Sequence, residues 1–209
     1  MAVIEIAVLP FRPEPNDPGF LTPLRKGLEI QTKWMADTHP EKPSLNNPIS
    51  VCYGSVNEPL EFIIVAKWES LEAHREWVQS DENKSVMSSL LPYLADTDGV
   101  SLVHIDGSED ESTPLPDSPF VVVERLLVQG GRRGEVTGRA GAAKEHIKAV
   151  AAGNRVLGGW RVDGEPGGTE EFALISSWNE VNTWEKAVDR PHSHFMPAEA
   201  TARAYKRVQ

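Results

Sequence analysis

One eighteen-residue pattern occurs twice in this chain, and it restricts the possible folds more than any other feature. Residues 61–78 read EFIIVAKWESLEAHREWV, and residues 171–188, 110 positions later, read EFALISSWNEVNTWEKAV. The identical positions pair Glu61 with Glu171, Phe62 with Phe172, Trp68 with Trp178, and Val78 with Val188. These identities are few, so the order of elements around each copy decides whether the chain is duplicated.

Apolar runs separated by turn residues predict that order in both halves. Strands are expected in the first half over 2–10, 49–57, 61–67 and 100–105. Strands are expected in the second half over 120–128, 155–162 and 171–177. Residues 107–119, GSEDESTPLPDSP, have the acidic, Pro/Ser-rich composition of a linker. The chain is therefore predicted to hold two ferredoxin-like βαββαβ repeats, 1–106 and 120–209.

Helices are predicted between the strands of the first repeat. Thr22 and Pro23 are typical of a helix start, and this helix is expected to end near His39. Ser70 is a typical N-cap for a second helix, which is expected to extend to about Tyr93.

The second repeat is predicted to be incomplete. Its helices are expected over 139–152 and from about Asn182, and the preceding stretch GGRRGEVTGRAG is interpreted as a mobile loop without phosphate-binding spacing. The offset of 110 places the counterpart of the strand at Val100 beyond Gln209, the last residue. That strand is therefore expected to be missing, and the open sheet edge predicts weak homodimerisation.

Composition argues against several classes of function. The 209 residues carry a net charge of −10, so the surface is expected to repel nucleic acid and anionic membranes. No apolar run approaches the ~20 residues of a membrane span. The single cysteine, Cys52, excludes an internal disulfide and favours a reducing, cytoplasmic compartment.

Residues 68–84, WESLEAHREWVQSDENK, resemble the antibiotic-biosynthesis-monooxygenase (ABM) branch of the dimeric α+β barrel superfamily. In that branch a strand ends in Trp, and the next helix carries an Ala-aromatic pair, a second Trp and an S-D/E-x-x-K turn. Members include cofactor-free oxygenases of polycyclic phenols and haem-degrading enzymes, and related barrels include cyclases and isomerases. The resemblance implies an α+β fold in which the two repeats pack as one intramolecular barrel, with ligand pockets between each sheet and its own helices.

The resemblance also bears on cofactors. Haem-degrading members have a Trp at the position of Trp77 and an iron-binding His ten residues later, where this chain has Met87 and its second copy has Pro197. Their first-strand Asn is absent from IEIAVLPF, and the Asn that phenol oxygenases favour is replaced by Ile64. Because nucleotide-binding motifs are also absent, no cofactor is expected.

His74 is the predicted catalytic residue. The family usually has an apolar aromatic residue there, and the second copy has Trp184. His74 and Trp77 share a helix face that is expected to point between helix and sheet. A His in an apolar pocket can act as a general acid or base, and the alternative is a histidine hydrogen-bonded at the helix rim.

Aromatic and sulfur-containing side chains are the predicted substrate contacts, since a tryptophan-rich pocket suits a flat aromatic ligand. Besides Trp77, the candidates are Met87, Trp34, Trp68, Trp184 and His194. No metal site is expected at His192 and His194, because a third ligand with suitable spacing is not evident. His104 is expected to face either a pocket or the interface between the two sheets.

These features predict a cofactor-independent enzyme of specialised metabolism that acts on an apolar polycyclic or polyketide-like molecule. The favoured reaction is proton abstraction followed by addition of oxygen. The alternatives are a cyclase or isomerase on the same barrel, and a barrel that binds a small molecule without catalysis.

Overall fold

A computed structural model describes residues 1–12, 17–40, 49–107, 115, 117–128, 131–150, 155–164, 169–188 and 200–208. The first half contains β1 (Val3–Pro10), α1 (Pro18–Thr38), β2 (Ser50–Ser55), β3 (Glu61–Trp68), α2 (Leu71–Gln79), α3 (Asp81–Leu90) and β4 (Ser101–Asp106). The second half contains β5 (Phe120–Val128), α4 (Arg133–Val150), β6 (Val156–Trp160), β7 (Glu170–Trp178), α5 (Val181–Val188) and β8 (Ala200–Arg207). The predicted duplication is therefore present at the level of elements. Among the described residues, no helix combines the length and apolar character that crossing a bilayer requires.

The eight strands form one antiparallel sheet in the order β4-β1-β3-β2-β8-β5-β7-β6. Each half has the ferredoxin-like order, and the halves join where β2 pairs with β8. At the other side, a bridge between Ile105 and Arg161 and a 2.8 Å hydrogen bond from the Val162 amide to the His104 carbonyl bring the two edges together. This seam nearly closes the sheet, and the predicted intramolecular α+β barrel is confirmed.

Alternation along the strands separates the barrel interior from the faces that carry helices. Both repeats contribute to the interior, where Ile4, Ile6, Val65 and Ile105 pack with Val121, Val123, Ala173 and Ile175. A second apolar cluster lies between the first repeat's sheet and its helices, and a third occupies the corresponding place in the second repeat.

The prediction that the last strand is missing is wrong. Ser101 begins β4 and Ala200 begins β8, so the offset falls to 99 at the last strand. The connection from β7 to β8 has 21 residues, against 32 between β3 and β4, so the second repeat is shorter but complete. Because β8 pairs on both sides, with β2 and β5, the sheet is not open at the place on which the predicted homodimerisation rested.

The helix predicted from Leu71 to about Tyr93 is two helices. Ser80 is extended, with φ −65° and ψ 155°, and its side chain accepts a hydrogen bond from the Asn83 amide at 3.0 Å. A serine that caps a following helix in this way interrupts the preceding one. A 3-10 turn, Leu91–Tyr93, then follows α3.

Helix α1 begins five residues earlier than predicted. Asp17 is its N-cap and accepts a hydrogen bond from the Gly19 amide, which places Pro23 inside the helix. A proline there cannot donate to the carbonyl four residues earlier. That carbonyl, of Gly19, instead accepts a 2.8 Å hydrogen bond from the Tyr93 hydroxyl, so the loss is compensated.

Most of the stretch interpreted as a mobile loop is helical, because α4 begins at Arg133 rather than at residue 139. Val136 and Ala140 are buried four residues apart, while Gly134 and Gly138 lie on the exposed side. Apolar packing along one face outweighs the low helix propensity of the glycines.

The repeated glutamate has a structural role in both halves. Glu61 on β3 accepts a 3.0 Å hydrogen bond from the Tyr205 hydroxyl on β8, which ties the two repeats together. Glu171 is buried and forms ion pairs with Arg125 and Arg161. Glu61 also forms an ion pair with Arg203, so the identity between the two copies marks charge pairs at the strand starts.

Candidate active site

A cavity of about 250 Å³ lies between the helices of the first repeat and the outer face of its sheet. Its walls are mainly aliphatic and include Ala7, Leu9, Leu24, Ile64, Val86 and Leu90. Helices α1 and α3 and strands β1 and β3 contribute these residues, which is the place predicted for a ligand pocket on this fold.

The mouth of the cavity is also apolar. Val78, Val100 and Leu102 line it and keep 45%, 39% and 38% of their surface exposed. Exposed aliphatic side chains around an apolar opening are typical of an entrance for an apolar ligand.

Among the described residues that line the cavity, Glu5 is the only one with a carboxyl group. It lies on β1 between Val3 and Ala7, on the sheet face that carries the helices, and is 6% exposed. The Trp68 indole donates a 2.6 Å hydrogen bond to Glu5 Oε2. Burial raises the pKa of Glu5 to about 7, although the Trp68 hydrogen bond acts in the opposite direction. The carboxyl group can therefore be neutral near physiological pH.

His74 lies on α2, which Ser70 caps, and both of its ring nitrogens have partners. Nδ1 is 2.7 Å from Nε2 of His104, and Nε2 is 3.3 Å from Glu5 Oε2. The Trp68 ring packs on the imidazole with centroids 4.6 Å apart. Burial, and to a smaller extent the neighbouring His104, lower the pKa of His74 to about 3, whereas Asp163 opposes the shift. The imidazole is thus neutral, and each of its two ring nitrogens has a polar partner.

His104 connects this pair to the second repeat. Its Nδ1 is 2.8 Å from Oδ2 of Asp163, which follows β6. Burial alone would raise the pKa of Asp163, but hydrogen bonds from His104 and Arg161 lower it below its ordinary value. Asp163 is therefore ionised at neutral pH.

Gln31 places an amide in the opposite wall of the cavity. The Ser50 hydroxyl donates a 2.6 Å hydrogen bond to Gln31 Oε1, and both side chains are buried. This contact fixes the orientation of the amide and leaves its NH₂ group as a donor to a ligand.

The structure brings some of the predicted site residues together and separates others. His74, Trp77 and Met87 line the cavity, and Trp34 packs behind Trp77 with ring centroids 5.4 Å apart. Trp68 is fully buried beneath His74 and does not reach the cavity wall.

The remaining two predicted contacts belong to the second repeat. Trp184 lies on α5 and is not part of this cavity wall. His194, together with His192 and Pro197, lies outside the described residues.

Sequence analysis missed Glu5, Gln31 and Asp163. An acidic residue inside the apolar run VIEIAVLP was the one available signal for Glu5, since a charged side chain in a buried strand needs a reason. Asp163 carries no comparable signal, because only closure of the barrel brings it to His104.

The fold is shared with several solved structures. A candidate monooxygenase of Fusobacterium nucleatum matches all of this chain and 93% of its own, with a TM-score of 0.64 and 10% identity. An anthrone oxidase-like protein matches all of this chain and 92% of its own, at 0.62 and 13%. A haem-binding protein of Thermus thermophilus matches the same shares, at 0.53 and 12%. No family model and no curated protein matches the chain. At these identities the likeness establishes the fold, which is that of the dimeric α+β barrel proteins.

The cavity side chains do not fit haem. Met87 lies in the wall where the resemblance places an iron-binding His, and both ring nitrogens of His74 are already engaged. Within the described residues, His, Cys, Asp and Glu side chains form no group of three that could hold a metal ion.

Proposed function

We propose that the protein is a cofactor-independent oxygenase of specialised metabolism that removes a proton from an apolar, flat ring substrate held in the first-repeat cavity. The observation that carries this proposal is the Glu5–His74 pair, a carboxyl and a neutral imidazole 3.3 Å apart in the wall of a largely apolar cavity. Acid–base groups buried beside apolar surface are costly to keep, and they are typical of catalytic sites.

The cavity supports a compact aromatic substrate. Its volume of about 250 Å³ lies just below the range of about 300–1,000 Å³ common for drug-sized ligands, which favours a small fused-ring system. Trp77 and Met87 in the wall offer an aromatic face and a polarisable thioether to such rings. The apolar mouth admits this kind of molecule without desolvating a charge.

The reaction begins with proton transfer. A CH₂ group flanked by aromatic rings and conjugated to a carbonyl loses a proton to the Glu5–His74 pair, and the proton comes to rest on His74 Nε2. The amide of Gln31 donates to the substrate oxygen that gains negative charge. Glu5 and His74 are the acid and base in this step, as their proximity allows.

Oxygen then reacts with the electron-rich carbanion. The carbanion gives one electron to O₂, the resulting carbon radical and superoxide combine in a C–O bond, and uptake of a proton gives a hydroperoxide. Loss of the remaining C–H proton and of hydroxide, which combine as water, leaves a ketone. One oxygen atom of O₂ is in the product and the other is in water, so CH₂ plus O₂ gives C=O plus H₂O.

A cyclase or isomerase is the second candidate. The Glu5–His74 pair favours it independently, because an acid and a base at one site can remove a proton and return it at another position without oxygen. Binding without catalysis uses the apolar cavity alone and assigns no role to the pair. The buried thiol of Cys52 is compatible with the cytoplasmic location that we propose.

Anthrone serves as a probe that separates these functions. Under air, an oxygenase consumes one O₂ per anthraquinone formed, and catalase returns no oxygen because hydrogen peroxide is not a product. Under argon in D₂O, an oxygenase or an isomerase exchanges the methylene protons for deuterium faster than buffer does. Binding without either accelerated reaction would contradict enzymatic proton abstraction and leave the non-catalytic barrel.

A further inference from the structure

A continuous row of polar side chains leads from the cavity to the seam between the repeats. Glu5 faces His74 at 3.3 Å, His74 faces His104 at 2.7 Å, and His104 faces Asp163 at 2.8 Å. The side chains of the first three are 8%, 5% and 4% exposed, whereas that of Asp163 is 17% exposed. The row therefore starts in a buried site and ends at a carboxylate that reaches solvent.

The carboxylate at the end of this row determines where the protons lie along it. Ionised Asp163 can only accept, so the Nδ1 of His104 donates to it. A neutral His104 then has a lone pair on Nε2, which must accept from Nδ1–H of His74. The lone pair of His74 is consequently on Nε2, opposite Glu5.

This assignment explains the state of Glu5. An ionised Glu5 would bring a second lone pair against Nε2 of His74 with no proton between them. A protonated Glu5 donates into that lone pair instead, and it still accepts from Trp68. The raised pKa of Glu5 agrees with this arrangement.

We propose that His74, His104 and Asp163 form a proton relay that carries the substrate's proton from the first-repeat cavity to the surface of the second repeat. When His74 Nε2 gains a proton, the proton on its Nδ1 moves to Nε2 of His104. The positive charge then lies 2.8 Å from the Asp163 carboxylate rather than in the apolar cavity. The Nδ1 proton of His104 then passes to Oδ2 of Asp163 and from there to solvent. Only N–H and O–H bonds change, and no oxidant or reductant is needed.

The relay gives His104 and Asp163 the role of positioning residues. A buried imidazole that must hold a positive charge is a weak base, because burial lowers its pKa. An imidazole that passes the charge to a neighbour paired with a carboxylate can be a stronger base. The relay also requires both repeats, because His104 belongs to β4 and Asp163 follows β6 across the seam. It serves the proton abstraction proposed above and rests on that function.

The contact between Arg161 and Asp163 allows the proton positions to be tested with a single substitution. Its Nε donates to Oδ1 of Asp163 at 2.7 Å, and a guanidinium has no acceptor. In Asp163→Asn, Arg161 therefore holds the amide oxygen and turns the NH₂ group toward His104. His104 must then accept at Nδ1 and donate from Nε2, so the tautomers of both histidines are expected to invert.

The experiment records ¹⁵N NMR spectra of the full chain labelled at its histidine rings, with no substrate. The wild type is expected to show His74 and His104 protonated at Nδ1, and Asp163→Asn is expected to show both protonated at Nε2. Asp98→Asn, which removes an exposed carboxylate elsewhere in the first repeat, is the control and is expected to retain the wild-type tautomers.

Two results would overturn the relay. One is a wild-type His74 protonated at Nε2, which requires no variant to observe. The other is a folded Asp163→Asn protein with unchanged tautomers. Because no turnover is measured, inverted tautomers support the relay even when anthrone does not react, in which case the proposed function alone fails.

Discussion

At the scale of single residues, the site depends on two buried groups, of which His74 was predicted from the sequence and Glu5 was not. The spacing of His74 and Trp77 correctly placed both beside a pocket between helix and sheet. The partner of His74 could not be predicted, because Glu5 is 69 positions away and reaches it only through the pairing of β1 with β3. Periodicity assigns a side chain to a face, but it does not say which other side chain shares that place.

The charge of Glu5 is expected to make stability depend on pH. Its pKa of about 7 in the folded protein exceeds the ordinary value of 4.5. Its contribution to stability is therefore complete below pH 4.5 and is lost as pH rises through 7. In Glu5→Gln the amide can accept from Trp68 and donate to His74, but it does not ionise. The free energy of unfolding of this variant, relative to wild type, should rise between pH 4.5 and 7 by up to about 1.4 kcal/mol per pH unit.

Glu124 provides a control because it has the same raised pKa as Glu5 but does not line the cavity. It is buried in the second repeat, and burial raises its pKa to about 7 as well. Glu124→Gln should therefore show the same rise in relative stability by urea unfolding, and it should leave deuterium exchange of anthrone unchanged. A flat pH dependence for Glu5→Gln would show that Glu5 does not carry its proton in the folded protein.

At the scale of elements, strands were easier to predict than helices. The seven strands that were predicted follow their runs closely, because alternation and apolar runs report burial directly. The break at Ser80 was missed since the same residue type can cap a helix or lie within one, and only its extended backbone distinguishes the two. The start of α4 was missed because glycine propensity was given more weight than the spacing of Val136 and Ala140.

The close approach of α1 and α3 predicts an effect of Gly27→Ala. A Cβ at Gly27 would lie 2.7 Å from Cγ1 of Val86, so the helices would have to separate at the cavity wall. Overpacking costs about 1–3 kcal/mol, and the gain in helix propensity of about 1 kcal/mol offsets part of it.

Val86→Ala removes the clashing methyl group and supplies the control. The cost of Gly27→Ala should be smaller in that background, with a coupling of at least about 0.5 kcal/mol in a double-mutant cycle of urea unfolding. Strictly additive changes would mean that the two helices do not meet at this point.

At the scale of the whole molecule, the duplicated pattern was sufficient to predict two ferredoxin-like repeats in one barrel. It was not sufficient to find β8, because a constant offset assumes that both repeats have equal connections, and the second is shorter. The contact between His104 and Asp163 could not be predicted from the sequence either. It is created when the sheet closes, and closure is a property of all eight strands together.

Closure of the barrel predicts a large effect at Gly159. A Cβ there would lie 2.2 Å from the carbonyl oxygen of Asp106, across the seam between β4 and β6. Gly159→Ala should therefore open the seam and lower the free energy of unfolding by about 1–3 kcal/mol or more. The ¹⁵N signals of His104 should also no longer report the wild-type tautomer. Asp163 follows β6 closely, so opening the seam should displace it from His104.

Gly138→Ala is the control for that change. Gly138 lies on the exposed side of α4. Apart from its two chain neighbours and the nearby backbone of its own helix, no described residue has an atom within 4 Å of the added methyl group. Alanine there should stabilise the protein by up to about 1 kcal/mol. A Gly159→Ala protein as stable as wild type, with unchanged histidine signals, would contradict a closed seam.

The central claim, that the cavity removes a proton from carbon, is tested most directly by anaerobic deuterium exchange into anthrone with wild type and His74→Phe. Phenylalanine leaves Glu5 and His104 without their shared partner, so a loss of stability of about 1–3 kcal/mol is expected. The folded variant should still bind anthrone, and its exchange rate should fall by about 10² or more, the usual effect of removing a general acid or base. A folded His74→Phe protein that exchanges deuterium at the wild-type rate would contradict the account.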